Sequence, residues 1–149
     1  MLRLSLKETD EYGEIRDFFI ENGLEFNEEE DKGTEILHVY KITHGDEEHL
    51  VGAVSLARRK GELVINGMAV EKIYRKMKIG SILLQKVEEI VNEELGGGII
   101  YLAAKVPGFY KKNDYETIDI KDAPDIFTCQ TCPLQGKECF PAIMKKVIK

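Results

Sequence analysis

"MAVEKIYRKMKIGS", Met68 to Ser81, joins two unlike patterns. Its first three residues end an apolar run, Leu63–Val70, that follows the turn signal Lys60-Gly61-Glu62 and reads as a strand. Its last three open a helix. Ile79, Ile82, Leu83, Val87, Ile90, Val91 and Leu95 recur at three- and four-residue spacing until Gly96-Gly97-Gly98 stops the pattern. Arg75, Lys76 and Lys78 lie between the two elements. The first turn of a helix has unpaired amides and a partial positive charge, which suit a phosphate. Three cations and Gly80 at that mouth strengthen the reading, and the alternative is a basic loop capping a core helix. Neither GxxxxGK[ST] nor GxGxxG occurs, so this is neither a P-loop nor a dinucleotide fingerprint.

Working outward, Ile99–Ala104 is a near-continuous apolar run, as in a strand covered on both faces. Strand, helix and strand in this order predict a crossover that lays Leu63–Val70 and Ile99–Ala104 parallel. Upstream, Leu2–Leu6 alternates like a half-buried strand. Thr9 or Asp10 can cap a helix carrying Tyr12, Ile15, Phe18 and Phe19 on one face, ended by Asn22-Gly23. A charged connection, Asn27–Gly33, precedes strands at Ile36–Ile42 and His49–Leu56, joined by a hairpin loop. His44 and His49 flank that loop, but no third ligand lies near them in sequence, so they are not read as a metal pair. Downstream, Pro107-Gly108 opens a short helix at Phe109–Asn113, and weaker strands follow at Glu116–Ile120 and Ala142–Ile148. The whole predicts one α+β domain, residues 1–149, on a mixed sheet.

Of the 149 residues, 43% are hydrophobic and 32% charged, which describes a globular chain rather than a disordered one. The net charge of −6 argues against a nucleic-acid surface, and no apolar run approaches the roughly 20 residues that span a bilayer. The N-terminus turns acidic too soon for a signal peptide, so a cytoplasmic protein is expected, with no membrane partner and with homodimer formation left open.

"MAVEKIYRKMKIGSILLQKVEEIV" resembles the CoA pyrophosphate motif of the GNAT superfamily of acetyl-CoA-dependent N-acyltransferases, written Q/R-x-x-G-x-G/A. Arg75 matches its first position and Gly80 its last, and Lys78 replaces the central glycine. "FYKKNDYE" is similar to a second family motif, with Asn113-Asp114 at the turn and Tyr115 where phenylalanine is usual. The order of elements matches over essentially the whole chain. The resemblance implies a mixed, mainly antiparallel sheet flanked by helices, and acetyl transfer from acetyl-CoA to a small-molecule or peptide amine. It implies that Met68, Ala69 and Val70 offer backbone amides to the acyl and pantetheine groups. It implies that Arg75, Lys76, Met77, Lys78, Ile79, Gly80 and Ser81 hold the pyrophosphate, and that Tyr110 is the general acid. Relatives often place a glutamate base on the strand before the phosphate loop, where this chain has Asn66-Gly67; Glu62, Glu71, the Glu28–Asp31 loop or a water are the alternatives. A non-catalytic acyl-CoA or metal/redox sensor on the same fold is the second reading.

All three cysteines lie in "FTCQTCPLQGKECFP", Phe127–Pro141. Cys129 and Cys132 have the spacing of two thiolates on one tetrahedral metal such as zinc, with Cys139 as a third ligand and Asp125, water or a partner completing the site. A redox dithiol and three free thiols are the other readings. On the resemblance, this stretch is an insert before the last strand, beside the acceptor mouth.

Overall fold

The computed structural model describes residues 3–24, 33–104, 107–124 and 142–148. Cys129, Cys132, Cys139, Asp125 and most of the charged 27–33 connection lie outside them, so neither the cysteine readings nor the insert is assigned here. The elements run β1 (Leu4–Glu8), α1 (Tyr12–Glu21), β2 (Thr34–His44), β3 (His49–Arg59), β4 (Glu62–Val70), a 3-10 segment (Lys72–Met77), α2 (Ile79–Leu95), β5 (Gly98–Ala104), α3 (Pro107–Lys112), β6 (Glu116–Thr117) and β7 (Ala142–Ile148). The seven strands form one sheet in the order β1-β2-β3-β4-β5-β7-β6. β4 and β5 are parallel and every other pairing is antiparallel, as the crossover pattern predicts.

Period-two alternation splits the core into two layers. Tyr40, Ile42, Val54, Leu56, Leu63, Ile65, Ile100, Leu102 and Met144 pack with α2 on one face. Val39, Ala53 and Ala69 pack with Ile15, Phe18 and Phe19 of α1 on the other. The buried stripe of α2 is Ile79, Leu83, Leu84, Val87, Ile90 and Val91. Leu84 joins the sequence-predicted face, whereas Ile82 and Leu95 turn outward at 41% exposure each. At 100° per residue, Leu84 flanks Leu83 and Val87 on the sheet side. Each of these buried side chains contributes roughly 1.5–3 kcal/mol of transfer free energy.

Some boundaries differ from the sequence reading. Thr9 does not cap α1; its Oγ1 accepts from the amide of Glu11, and no side chain caps the helix. Glu116–Ile120 shrinks to a two-residue strand, Glu116 and Thr117 paired with β7, after which the Ile118 amide donates to the Ile143 carbonyl and a 3-10 turn follows at Ile120–Asp122. The helix of the second motif begins at Pro107 and ends at Lys112. Among the described residues no helix is long and apolar enough to cross a membrane.

α1 sits where it does because β4 carries no side chain at Gly67. A Cβ there would fall on the Phe19 ring, which is fully buried. Gly67→Ala should therefore lower stability by about 1–3 kcal/mol, as overpacking does. The check is a lower urea midpoint with an unchanged m-value.

Candidate active site

The cleft begins at the end of the β4–β5 ladder. Only Leu63↔Ile100 and Val64↔Tyr101 pair; beyond Val64 the two strands part. The cause lies on the other side of β4. Ser55 pairs with Gly67 and Leu56 with Ile65, so Asn66 is an extra residue, a bulge that bends the strand. β5 cannot follow, because it pairs with β7 from Gly98 to Ala104. From Ile65 to Val70 the β5 side of β4 therefore has no strand partner among the described residues. Backbone groups without a strand partner need another one, in water, a ligand or further chain.

Met68, Ala69 and Val70 end that open edge. Met68 and Val70 turn toward the α2 face and Ala69 toward α1. The chain then turns through Lys72–Met77 to Lys78, whose φ of 60° and ψ of 20° are left-handed. That conformation is the one the motif's central glycine supplies freely, and a lysine adopts it at a cost of about 1 kcal/mol. The first turn of α2, with the amides of Ile79, Gly80 and Ser81, has no capping side chain and no acidic residue. Lys78 and Met77 are exposed, and the side chain of Lys76 lies outside the described part. Arg75 is exposed as well, and its Nε donates to the Val70 carbonyl at 3.0 Å, which folds the guanidinium back to the end of β4.

Gly80 serves packing. A Cβ there would lie 2.8 Å from the Phe109 ring, so the glycine lets α3 close on the start of α2. Phe109 in turn meets Tyr110 edge to face at 5.1 Å, and Tyr110 meets Tyr115 the same way at 5.9 Å. Tyr110, Phe109, Met68 and Val70 pack against one cluster, so the open strand end, the start of α2 and Tyr110 share a face. The Tyr110 hydroxyl makes no hydrogen bond to a described residue. Burial pushes its pKa up to about 12, so it is a neutral proton donor at ordinary pH.

The two histidines set aside as a metal pair anchor the phosphate-loop candidate. Tyr74 is buried at 8% exposure; its hydroxyl lies 3.2 Å from His44 Nδ1, and its ring touches both imidazoles. His49 Nε2 lies 2.7 Å from Glu71 Oε2, while the Glu71 amide donates to Val51. Among the described residues no three histidine, cysteine or acidic side chains form a metal group. Glu71 is thus held by His49, and Glu62 sits at the closed end of the cleft, opposite Arg59. At the bulge, Asn66 Oδ1 accepts from Ser55 at 2.6 Å, and its Nδ2 donates to the Tyr12 hydroxyl at 3.0 Å. Tyr12, Arg16, Thr34, Ile36 and Asn66 line a cavity of about 240 Å³ on the α1 face. A wider groove of about 510 Å³ lies away from the cleft, between α2 and β7. Sequence reading missed the Ser55–Asn66–Tyr12 chain; the polar Asn66 inside an apolar strand was its signal.

Lys78→Gly should raise unfolding stability by up to about 1 kcal/mol, and Lys78→Val should lower it, since a β-branched residue tolerates the left-handed region worst. Urea unfolding of both variants checks this. The raised Tyr110 pKa also gives a pH signature. Between its ordinary 10.0 and about 12 the unfolded chain loses a proton that the folded chain keeps, so stability falls as pH rises. Tyr110→Phe should flatten that part of the decline.

The model of the acetyltransferase (GNAT) family matches residues 4–115. The solved structure of a GNAT-family acetyltransferase from Staphylococcus aureus Mu50 is similar at a TM-score of 0.70, with 19% identity over 99% of this chain and all of that one. A GNAT-family N-acetyltransferase from Escherichia coli, solved in complex with CoA, gives 0.71 and 15%, over 100% of this chain and 83% of that one. An aminoglycoside 6'-N-acetyltransferase, also with coenzyme A, gives 0.61 and 18%, over 97% of each chain. Among curated proteins no sequence matches. The family match over three quarters of the chain agrees with the parted strands, the left-handed loop and the uncapped helix start: the chain belongs to the GNAT acetyltransferase family.

Proposed function

We propose that this chain is an N-acetyltransferase that moves the acetyl group of acetyl-CoA to a primary amine by direct attack. The observation that carries the reading is the parting of β4 from β5 after Val64, which leaves an unpaired strand edge running into the uncapped start of α2. The edge at Met68–Val70 suits the amide-rich pantetheine arm and donates to the oxyanion of the tetrahedral intermediate. The amides of Ile79, Gly80 and Ser81, with Arg75 and Lys78 beside them, suit the pyrophosphate. The Lys78 backbone already has the conformation that the motif glycine provides, which supports the fit.

The acceptor nitrogen attacks the thioester carbon; a C–N bond forms, the C–S bond breaks, and the sulfur leaves as thiolate. Tyr110 gives that thiolate its proton, the proton released by the amine goes to water, and the Tyr110 phenolate regains a proton from water. The bulge residue is Asn66, bound to Ser55 and Tyr12, and not a carboxylate; in this reading the amine enters in its neutral form. The CoA complexes and the aminoglycoside-modifying neighbour support an amine acceptor, small-molecule or peptide. Asparagine in place of a carboxylate at the bulge favours the second reading, a non-catalytic acyl-CoA-binding module.

Acetyl-CoA at about a hundredfold excess over Kd should raise the melting temperature by about 5 °C or more. No shift sinks both readings. Thiol release from acetyl-CoA over spermidine, a lysine peptide, a peptide with a free N-terminus and kanamycin separates them: binding without turnover leaves the binding module. Tyr110→Phe should cut kcat by about a hundredfold, and an unchanged rate removes Tyr110 as the acid.

A further inference from the structure

Tyr115 stands where the resemblance calls for phenylalanine, so its hydroxyl is an added polar atom at a site only 3% exposed. That hydroxyl is paired: it donates to Glu88 Oε2 of α2 at 3.2 Å. Burial and the Glu88 carboxylate raise the Tyr115 pKa, so the phenol stays a donor. The other Glu88 oxygen accepts from Lys146 Nζ of β7 at 2.8 Å. Lys146 shares a sheet face with the fully buried Met144, a place for an apolar residue, and its ammonium is satisfied three ways. Besides Glu88 it donates to the Asn113 carbonyl at 3.1 Å and lies 5.6 Å from the centre of the Tyr115 ring.

These contacts converge on the end of α3. Asp114 is left-handed, with a φ of 71°. The Tyr115 amide donates to the Tyr110 carbonyl at 3.0 Å and the Asp114 amide to Lys111 at 3.2 Å. This is the Schellman closure, in which the residue after the left-handed one touches the third from the helix end. Here those residues are Tyr115 and Tyr110, and their rings meet at 5.9 Å. Tyr110 is thus held by Tyr115 through both its carbonyl and its ring, and Tyr115 is held to α2 and β7 by Glu88 and Lys146.

We infer that Lys146, Glu88 and Tyr115 form a clamp that positions Tyr110 in the cleft. The Lys146–Glu88 pair is partly buried, and such a pair adds little net stability, but with its further hydrogen bonds its geometry is directional. A phenol that must meet a departing sulfur needs such fixing, since small displacements at a reacting group cost large factors in rate. Tyr115, Glu88 and Lys146 are positioning residues and act only through Tyr110. The inference rests on Tyr110 being the acid, as proposed above.

The test is a double-mutant cycle in full-length protein, read as kcat and KM by thiol release with acetyl-CoA and spermidine, or with the panel amine that turns over fastest. Tyr115→Phe should lower kcat about tenfold and leave the KM for acetyl-CoA within about twofold. In the Tyr110→Phe background the same change should alter kcat by less than about twofold, because its effect passes through the missing hydroxyl. Lys146→Gln should copy Tyr115→Phe, and Lys146→Arg should recover most of the lost rate. Full activity of Tyr115→Phe overturns the clamp. So does an equal loss in the Tyr110→Phe background, with Tyr110 still the acid. If Tyr110→Phe itself has no effect, or no amine turns over, the acid role falls and the clamp with it. Should Tyr115→Phe fail to fold by circular dichroism, Lys146→Gln and Glu88→Gln carry the same cycle. Failure of all three to fold makes the network structural only and overturns the inference.

Discussion

Two strands that start together and cannot stay together set the rest of this structure. β4 and β5 share two parallel pairs, and then the bulge at Asn66 bends β4 away while β7 holds β5 along its whole length. A flat sheet would have buried these backbone groups in one ladder. Among the described residues the parting leaves one edge of β4 open in the middle of the sheet, where open edges are rare. Everything assigned to function stands around that gap: the end of β4 on one side, α3 with Tyr110 on the other, and the start of α2 between them.

The gap would be a defect without its lining. The start of α2 has no side-chain cap, and the partial positive charge of a helix start favours an anion. Lys78 takes a left-handed backbone that glycine would take without strain, while Arg75 is folded back onto the Val70 carbonyl. The loop is tied to the β2–β3 hairpin by Tyr74 against His44 and His49, and by Glu71 against His49. On the far side, Gly80 lets the Phe109 ring settle onto α2, which sets the distance between loop and acid candidate.

Much of this was legible along the chain. Hydrophobic pattern together with turn and cap signals placed α1, α2 and the five longest strands, because helical repeats, apolar runs and the Gly-rich stops between them are all local. The strand, the basic loop and the helix start that it joins were legible too, since they lie within fourteen consecutive residues. Long-range pairing was not. Asn66 could not be read as a bulge, because a bulge is defined by the partner strand opposite it. His44 and His49 looked like ligands or bystanders until folding brought Tyr74 and Glu71 to them. Tyr115 read as a mild departure from a motif until Glu88 and Lys146, 27 and 31 residues away, were beside it.

The sequence by itself determined the family and the order and kind of the elements, which depend on neighbours within a helix turn or a strand. Tertiary structure decided where the sheet opens, which conformation Lys78 takes, and what surrounds Tyr110. Those features depend on contacts between segments far apart in the chain. Local periodicity carries no record of such contacts, and only the packing of one layer on another selects them.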